Sequence, residues 1–215
     1  MKIVEPSFRI LYPKTFDDWM FEFKMIERAG RIAYKTEEAI TDTSFLDFCQ
    51  MIKEKKHGAV LEFGNMVVEF VTDRGVTHEL VRHRLCSFLQ ESTRYCNYAH
   101  DRFDNQISVI CPHGLSKDQK NIAFEAWCNS VMQSETAYFQ LLEAGETPQI
   151  ARSVLPTCTK TEIVVKANFR EWLHIFDLRV LGKTGKPHPD MVRLMKPLHD
   201  ELVAHRSWFW GDAEK

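Results

Sequence analysis

Apolar residues between 16 and 33 fall at Phe16, Trp19, Met20, Phe23, Ile26 and Ile32, close to the period of a helix with one buried face. Residues 45–52 repeat that spacing after a Thr/Asp/Ser-rich start, which predicts a second amphipathic helix. The pattern changes over 65–72, where Val67, Val68, Phe70 and Val71 surround Glu69 in a run of β-branched and aromatic residues that predicts a strand. Arg74-Gly75 breaks it. Val76, Leu80, Val81 and Leu85 then predict a helix over 76–89 that carries Arg82, His83 and Arg84. Residues 107–111 read as a short strand, 117–144 as a long helix stopped by Gly145, and 161–167 as another strand after a short helical segment that closes at Pro156. Helical patterns over 170–180 and 189–205 complete an α+β order, without the regular βαβα alternation of a doubly wound sheet.

No repeat, low-complexity tract or Pro/Gly-rich linker divides the 215 residues, so one domain over 1–215 is expected, with only Asp212 to Lys215 as a tail. A hydrophobic content of 44% is enough to bury a core without staples. Lys and Arg total 28 against 30 Asp and Glu, a formal net charge of -2. No global positive field therefore recruits nucleic acid or an anionic membrane, and any anion site must be local. No apolar run reaches the roughly 18 to 20 residues that span a bilayer, and residues 1–9 lack the apolar stretch of a signal peptide. The expected location is the cytoplasm. Six cysteines, Cys49, Cys86, Cys96, Cys111, Cys128 and Cys158, contain no C-x-x-C pair, and most of them read as reduced packing residues.

The chemistry concentrates in 77–95, THELVRHRLCSFLQESTRY. Between His57 and Ser116 there is no lysine, yet Arg74, Arg82, Arg84, Arg94 and Arg102 all lie there. Arginine presents a planar fork that grips phosphate or carboxylate in two places, so an arginine-only segment points to specific anion recognition. For any one of them the ordinary reading is a solvated helix face with scattered ion pairs. On the expected helix Glu79 and Arg82 share a face, whereas Arg82 and Arg84 point roughly 200° apart and can serve two ligands. His83 between them is either a packed core histidine or a donor to a ring system. No metal is expected: His78 and His83 are five residues apart, unlike the i,i+4 pair of a zincin helix. Cys86 has no base partner in sequence and reads as packing.

Arg82-His83-Arg84, seven further residues, Ser92 and then Arg94-Tyr95 resemble the R-H-R-x7-S signature of the flavin-dependent thymidylate synthases. His57-Gly58-Ala59-Val60-Leu61-Glu62-Phe63 is similar to that family's H-x-[ST]-x-x-E-H segment, and His78-Glu79 precedes the core at the familiar distance. Ala151-Arg152-Ser153-Val154-Leu155-Pro156 resembles its A-R-x-x-L-P block. Thr161 to Val165, Asn168, Arg170 and Leu178-Arg179 follow at the family's spacing. The similarity runs from about His57 to Arg179, with a weaker tail around His188 and Met191.

The resemblance implies a single α+β domain with a mixed or antiparallel sheet flanked by long helices. It implies reductive methylation of dUMP to dTMP, with methylenetetrahydrofolate as one-carbon donor, NADPH as reductant and bound FAD between them. It also implies a homotetramer whose flavin and nucleotide sites are shared between subunits, and no enzyme nucleophile. For dUMP it implies Glu79, Arg82, Gln90, Glu91, Ser92, Thr93, Arg94, Arg152 and Arg179. Arg94 and Arg152 suit the phosphate. Arg179 matches the activating arginine, a cation at the uracil N3/O2 edge that stabilises the negative charge developing as C5 becomes nucleophilic. For FAD it implies His57, Ala59, Arg82, His83, Arg84, Gln90, Asn168, Arg170 and His174.

Several positions depart from the pattern. Ala59 replaces the usual Ser/Thr hydroxyl, a hydrogen bond whose loss of about 0.5 to 1.5 kcal/mol weakens FAD affinity by about an order of magnitude. Phe63 replaces a histidine, Gln149 a glutamate, and 181–187, LGKTGKP, is longer than the commonest spacer. The competing readings are the same flavin and folate chemistry on another pyrimidine nucleotide such as dCMP, and a non-catalytic nucleotide-binding protein.

Overall fold

A computed structural model describes residues 1–100, 103–118 and 120–211. Arg102 of the arginine-only stretch, Gln119 of the expected long helix and the expected tail from Asp212 to Lys215 lie outside the described residues.

In chain order the elements are β1 (Lys2–Val4), β2 (Ser7–Tyr12), α1 (Phe16–Tyr34), α2 (Phe45–Glu54), α3 (Gly58–Leu61), β3 (Asn65–Asp73), α4 (Arg74–Leu80), β4 (Ser87–Gln90), β5 (Ser108–Ile110), α5 (Ile122–Glu143), α6 (Pro148–Ala151), β6 (Lys160–Asn168), α7 (Phe169–Arg179) and α8 (Pro189–Trp210). The fold is α+β. An antiparallel sheet has the order β2-β3-β6-β4. A two-stranded parallel sheet sets Lys2 opposite Ser108, Ile3 opposite Val109 and Val4 opposite Ile110.

The chain divides into two compact units, each built from three segments. The first unit comprises Met1–Ser7, Phe70–Leu80 and Leu89–Ile163, and the second Phe8–Glu69, Val81–Phe88 and everything from Val164 on. The first unit has its own core of Tyr98, Ile107, Val109, Val131, Tyr138 and Ala151, with Trp127 and Leu155 packed against it. The second has an aromatic core in which Phe169 lies 5.4 Å from Phe23, 5.1 Å from Trp210 and 5.6 Å from Phe209, centroid to centroid. Such tilted and edge-on ring pairs add to the burial of large apolar area.

Local signals explain most element ends. Thr15 caps α1 in a reciprocal box: its hydroxyl accepts from the Asp18 amide at 3.1 Å, and the Asp18 carboxylate accepts from the Thr15 amide at 2.9 Å. Lys35, with φ 53°, closes that helix in the left-handed conformation. The Asn168 side chain accepts from the Glu171 amide at 2.9 Å and so caps α7. In β3 the buried Met66, Val68, Phe70 and Thr72 alternate with half-exposed neighbours, as a strand with one face against a core requires. Gly64 just ahead of it is required for packing: a Cβ there would stand 2.6 Å from Ile26 and 2.8 Å from Phe169.

One expected element is corrected. The helix expected over 76–89 stops at Leu80, and residues 81–86 form turns that lead into β4. Val81 and Leu85, spaced for a buried helical face, are both exposed, while His83 is buried. On a continued helix His83, seven residues after Val76 and three after Leu80, would share their face; the turn instead carries its ring onto Arg179 and Glu171 and leaves Arg82 and Arg84 exposed. The argument from helical angles between Glu79, Arg82 and Arg84 falls with that helix.

Candidate active site

In the first unit, the segment that follows β4 is fixed by buried hydroxyls. The Gln90 amide donates to Thr77 Oγ1 at 3.0 Å and to Thr161 Oγ1 at 3.1 Å, and both threonines are fully buried. Glu91 donates its backbone N–H to the Glu162 carbonyl at 2.8 Å, and its own carbonyl accepts from Arg74 at 2.8 Å. The Glu91 carboxylate turns inward, accepting from the Tyr98 hydroxyl at 2.9 Å and facing Lys160 at 3.3 Å. Burial first, and then that carboxylate, push the Tyr98 phenol up. Glu91 therefore shapes the loop from inside.

Ser92 begins a turn, its carbonyl accepting from the Tyr95 and Cys96 amides at 3.1 and 2.9 Å and its hydroxyl from the Arg94 amide at 3.3 Å. Thr93 is buried and accepts at Oγ1 from Arg152 at 3.4 Å. Arg94 and Arg152 are exposed, Arg94 lies 5.3 Å over the Tyr95 ring, and among the described residues neither is paired with a carboxylate. Two exposed guanidiniums attached to one turn, without a carboxylate partner among the described residues, have the chemistry to take an anion such as a phosphate. Glu79 is half-buried at the end of α4.

The second unit holds the other set. The turn after α4 directs Arg82 and Arg84 to solvent and His83 inward. His83 Nε2 accepts from Arg179 Nε at 3.1 Å, and Nδ1 stands 3.3 Å from a Glu171 carboxylate oxygen. Arg179 always donates, so Nε2 bears the lone pair and Nδ1 the proton that faces Glu171. Burial first, then the Arg179 cation and His174, pull His83 down to about 4. Burial raises the Glu171 carboxyl, with His174 and Arg170 opposing.

The His174 ring lies edge-on to His83 at 5.9 Å. Arg170 pairs with Glu62 at 2.6 Å across α7 and α3, and a Cβ at Gly58 would stand 2.7 Å from its Nε. His57 caps α3 in sequence, with Nδ1 3.3 Å from the Tyr34 hydroxyl, and Ala59 is exposed in its first turn. Exposed Arg82 and Arg84, neither with a carboxylate partner among the described residues, fit a diphosphate-bearing cofactor. Gly58 lets the Arg170 side chain pass close to the α3 backbone, and Ala59 adds no polar group to that turn.

Ligating atoms of His83, Glu171 and His174 lie within 4.8 Å of one another. They do not make a metal site in this arrangement. The Nδ1 that faces Glu171 carries a proton and cannot ligate, and a guanidinium already sits against the same ring, where it repels a second cation. Cys86, half-buried, has its thiol pushed up to about 12 by burial and then by Glu171, which leaves it protonated and poorly nucleophilic.

The expected residues thus fall in two groups: Glu79, Gln90 to Arg94 and Arg152 in the first unit, and His57, Ala59, Arg82 to Arg84, Asn168, Arg170, His174 and Arg179 in the second. Sequence reasoning missed Thr77, Thr161, Tyr98 and Glu171. Glu171 alone had a local signal, at the third helical position behind an asparagine cap.

A family model described as thymidylate synthase complementing protein matches residues 16–203. The chain belongs to this family, that of the flavin-dependent thymidylate synthases. A relative from Synechocystis sp., named flavin-dependent thymidylate synthase, is 28% identical over 173 residues, 78% of this chain and 79% of that protein. One of the same name from Corynebacterium glutamicum is 32% identical over 72% of this chain, and the match spans 66% of that protein's length, just under two thirds. The fold is also that of a solved UMP/dUMP methylase, PolB from Streptomyces cacaoi bound with 5-Br dUMP. It has a TM-score of 0.76 and 17% identity, covering 95% of this chain and 93% of that one. A member of the family is an enzyme, a thymidylate synthase with a flavin cofactor.

Proposed function

We propose that this family member converts dUMP to dTMP with methylenetetrahydrofolate as one-carbon donor and NADPH as reductant of FAD. The observation that carries the reading is the turn at 92–94, which holds the exposed Arg94 and Arg152 with no carboxylate among the described residues to neutralise their guanidiniums. A nucleoside monophosphate supplies that anion, and the charge-assisted bonds to two forks are among the stronger ones available to a protein.

In this reading Arg94, Arg152 and the Ser92 hydroxyl hold the phosphate. Glu79 and the backbone of Gln90, Glu91 and Thr93 bound the nucleoside, and Arg82 serves nucleotide and flavin alike. Arg179 stabilises the negative charge that develops at the uracil N3/O2 edge as C5 attacks the one-carbon unit, an electrostatic role that needs no covalent bond to the enzyme. Arg84 and Arg170 balance the flavin diphosphate, while Asn168, His174, His57, Ala59 and the Gln90 amide border the rest. When bound, FAD supplies the hydride that completes the methyl group. The C5 proton would leave and tetrahydrofolate would depart, with NADPH as the source of the reducing equivalents.

A homotetramer with sites shared between subunits is part of the proposal, supported by Leu85, Leu89 and Tyr95, which are 71%, 78% and 74% exposed around the signature segment. So is a cytoplasmic location, which six free cysteines support; no described helix is long and apolar enough to cross a membrane. Incubation with dUMP, methylenetetrahydrofolate, NADPH and FAD should yield dTMP by chromatography, and omission of any one component should abolish it. Methylated product from dCMP but none from dUMP would overturn the assignment of substrate.

A further inference from the structure

We infer that Glu171 and His83 are positioning residues for Arg179, a carboxylate–imidazole–guanidinium chain that fixes the plane of the activating cation, and that His83 acts on Arg179 and not on the flavin. The inference rests on the reading of Arg179 as the residue that stabilises the uracil anion.

The geometry is specific. Glu171 and Arg179 lie at opposite ends of α7, eight residues apart, a rise of about 12 Å at the helical repeat. His83 comes from a different part of the chain, the turn after α4, and fills the interval between them with one nitrogen on each. Its burial, 5% exposed between two exposed arginines, shows that the turn is built to deliver this ring inward. Both ring nitrogens are then committed within the protein, which leaves no nitrogen of His83 to donate to a flavin.

Direction follows from donor and acceptor capacity. Arg179 can only donate, so Nε2 must accept; the neutral imidazole then has its proton on Nδ1, and only an acceptor such as Glu171 can satisfy it. Glu171 thereby selects the tautomer that receives Arg179. Its own backbone is held by the Asn168 cap at 2.9 Å, so the chain of contacts begins on a fixed helix end. A long, flexible arginine side chain gains catalytic value from such restraint, because a charge aimed at a transition state acts best when it need not reorganise. Without Glu171 the ring is free to take the other tautomer, whose Nε2–H would face the guanidinium donor to donor and push it away.

The test is a double-mutant cycle on tritium release from [5-³H]dUMP, with flavin content read by absorbance in the same samples. Glu171→Ala should lower kcat by about ten- to a hundredfold, as a misplaced catalytic group does. The KM for dUMP and the flavin content should change less than about threefold. In an Arg179→Lys background, where the Nε donor is already gone, Glu171→Ala should cost less than about threefold further. Glu171→Gln keeps an acceptor oxygen for Nδ1–H and should stay within about fivefold of the parent. His83→Phe, which preserves ring volume and loses both bonds, gives the same cycle through a second residue. An equal loss in both Arg179 backgrounds, or loss of flavin as the main effect of His83→Phe, overturns the inference. No tritium release from the parent protein would instead defeat the reading on which it rests.

Discussion

An arginine without a carboxylate neighbour keeps its full attraction for an incoming anion, and the values of Arg94 and Arg152 follow from that. Arg152→Ala should weaken dUMP by about 1.5 to 3 kcal/mol, about ten- to a hundredfold in Kd by calorimetry, because it removes a charge-assisted bond that no other side chain replaces. Flavin content should be unchanged, since Arg152 belongs to the nucleotide set. His83 leads to a different expectation. Its folded-state value of about 4 lies below the ordinary 6.5, so the unfolded chain binds the proton more readily. Stability is therefore undiminished above pH 6.5 and falls as pH drops toward 4, by roughly 3 kcal/mol for this group alone. Burial is the main cause of that penalty, with the Arg179 cation and His174 contributing to it, and Glu171, whose raised carboxyl takes up a proton early in the folded state, partly offsets it. Urea midpoints of the parent and of His83→Gln, compared between pH 7 and 4.5, should converge as the pH falls. Arg94 was legible in the sequence because an arginine-only stretch is a matter of composition, and Arg152 through the A-R-x-x-L-P block it shares with the family. The role of His83 was not, because its inward turn depends on Glu171 and Arg179, which lie nearly a hundred residues away.

At the scale of elements, α1, α2, β3, α5, β6, α7 and α8 were legible in the apolar period, since each buries one face along its whole length. The end of α4 was not, because Val81 and Leu85 continue the helical spacing without a surface to bury it on. The pairing of β4 beside β6 and the demand of His83 for buried partners outweigh the local pattern. β2 was passed over in the sequence although Phe8, Ile10 and Tyr12 keep the two-residue alternation of a strand. The cap of α7 carries a prediction. Asn168→Ala removes the acceptor for the Glu171 amide and should cost about 1 kcal/mol, a fall of roughly 2 to 4 °C in Tm by calorimetry. It should also lower turnover, because Glu171 stands on that cap; Asn168→Asp, which keeps the acceptor, should recover both.

For the whole molecule, the signature blocks are scattered from His57 to Arg179, yet the chain folds into two units that each weave together three segments. Sequence spacing made the family legible and gave no view of that interleaving, which arises from contacts between distant segments. The formal charge of -2 leaves little electrostatic barrier to self-association, and Leu85, Leu89 and Tyr95 offer apolar area near the signature. Light scattering should give the mass of four chains, and Leu89→Asp should lower that mass and the flavin content together. A monomer that retains full flavin would remove subunit sharing from the account. The central claim, methylation at C5 of dUMP, is tested most directly by tritium release from [5-³H]dUMP in the presence of FAD, methylenetetrahydrofolate and NADPH. The account predicts release that stops when FAD or NADPH is withheld, and release that continues unchanged without flavin would contradict it.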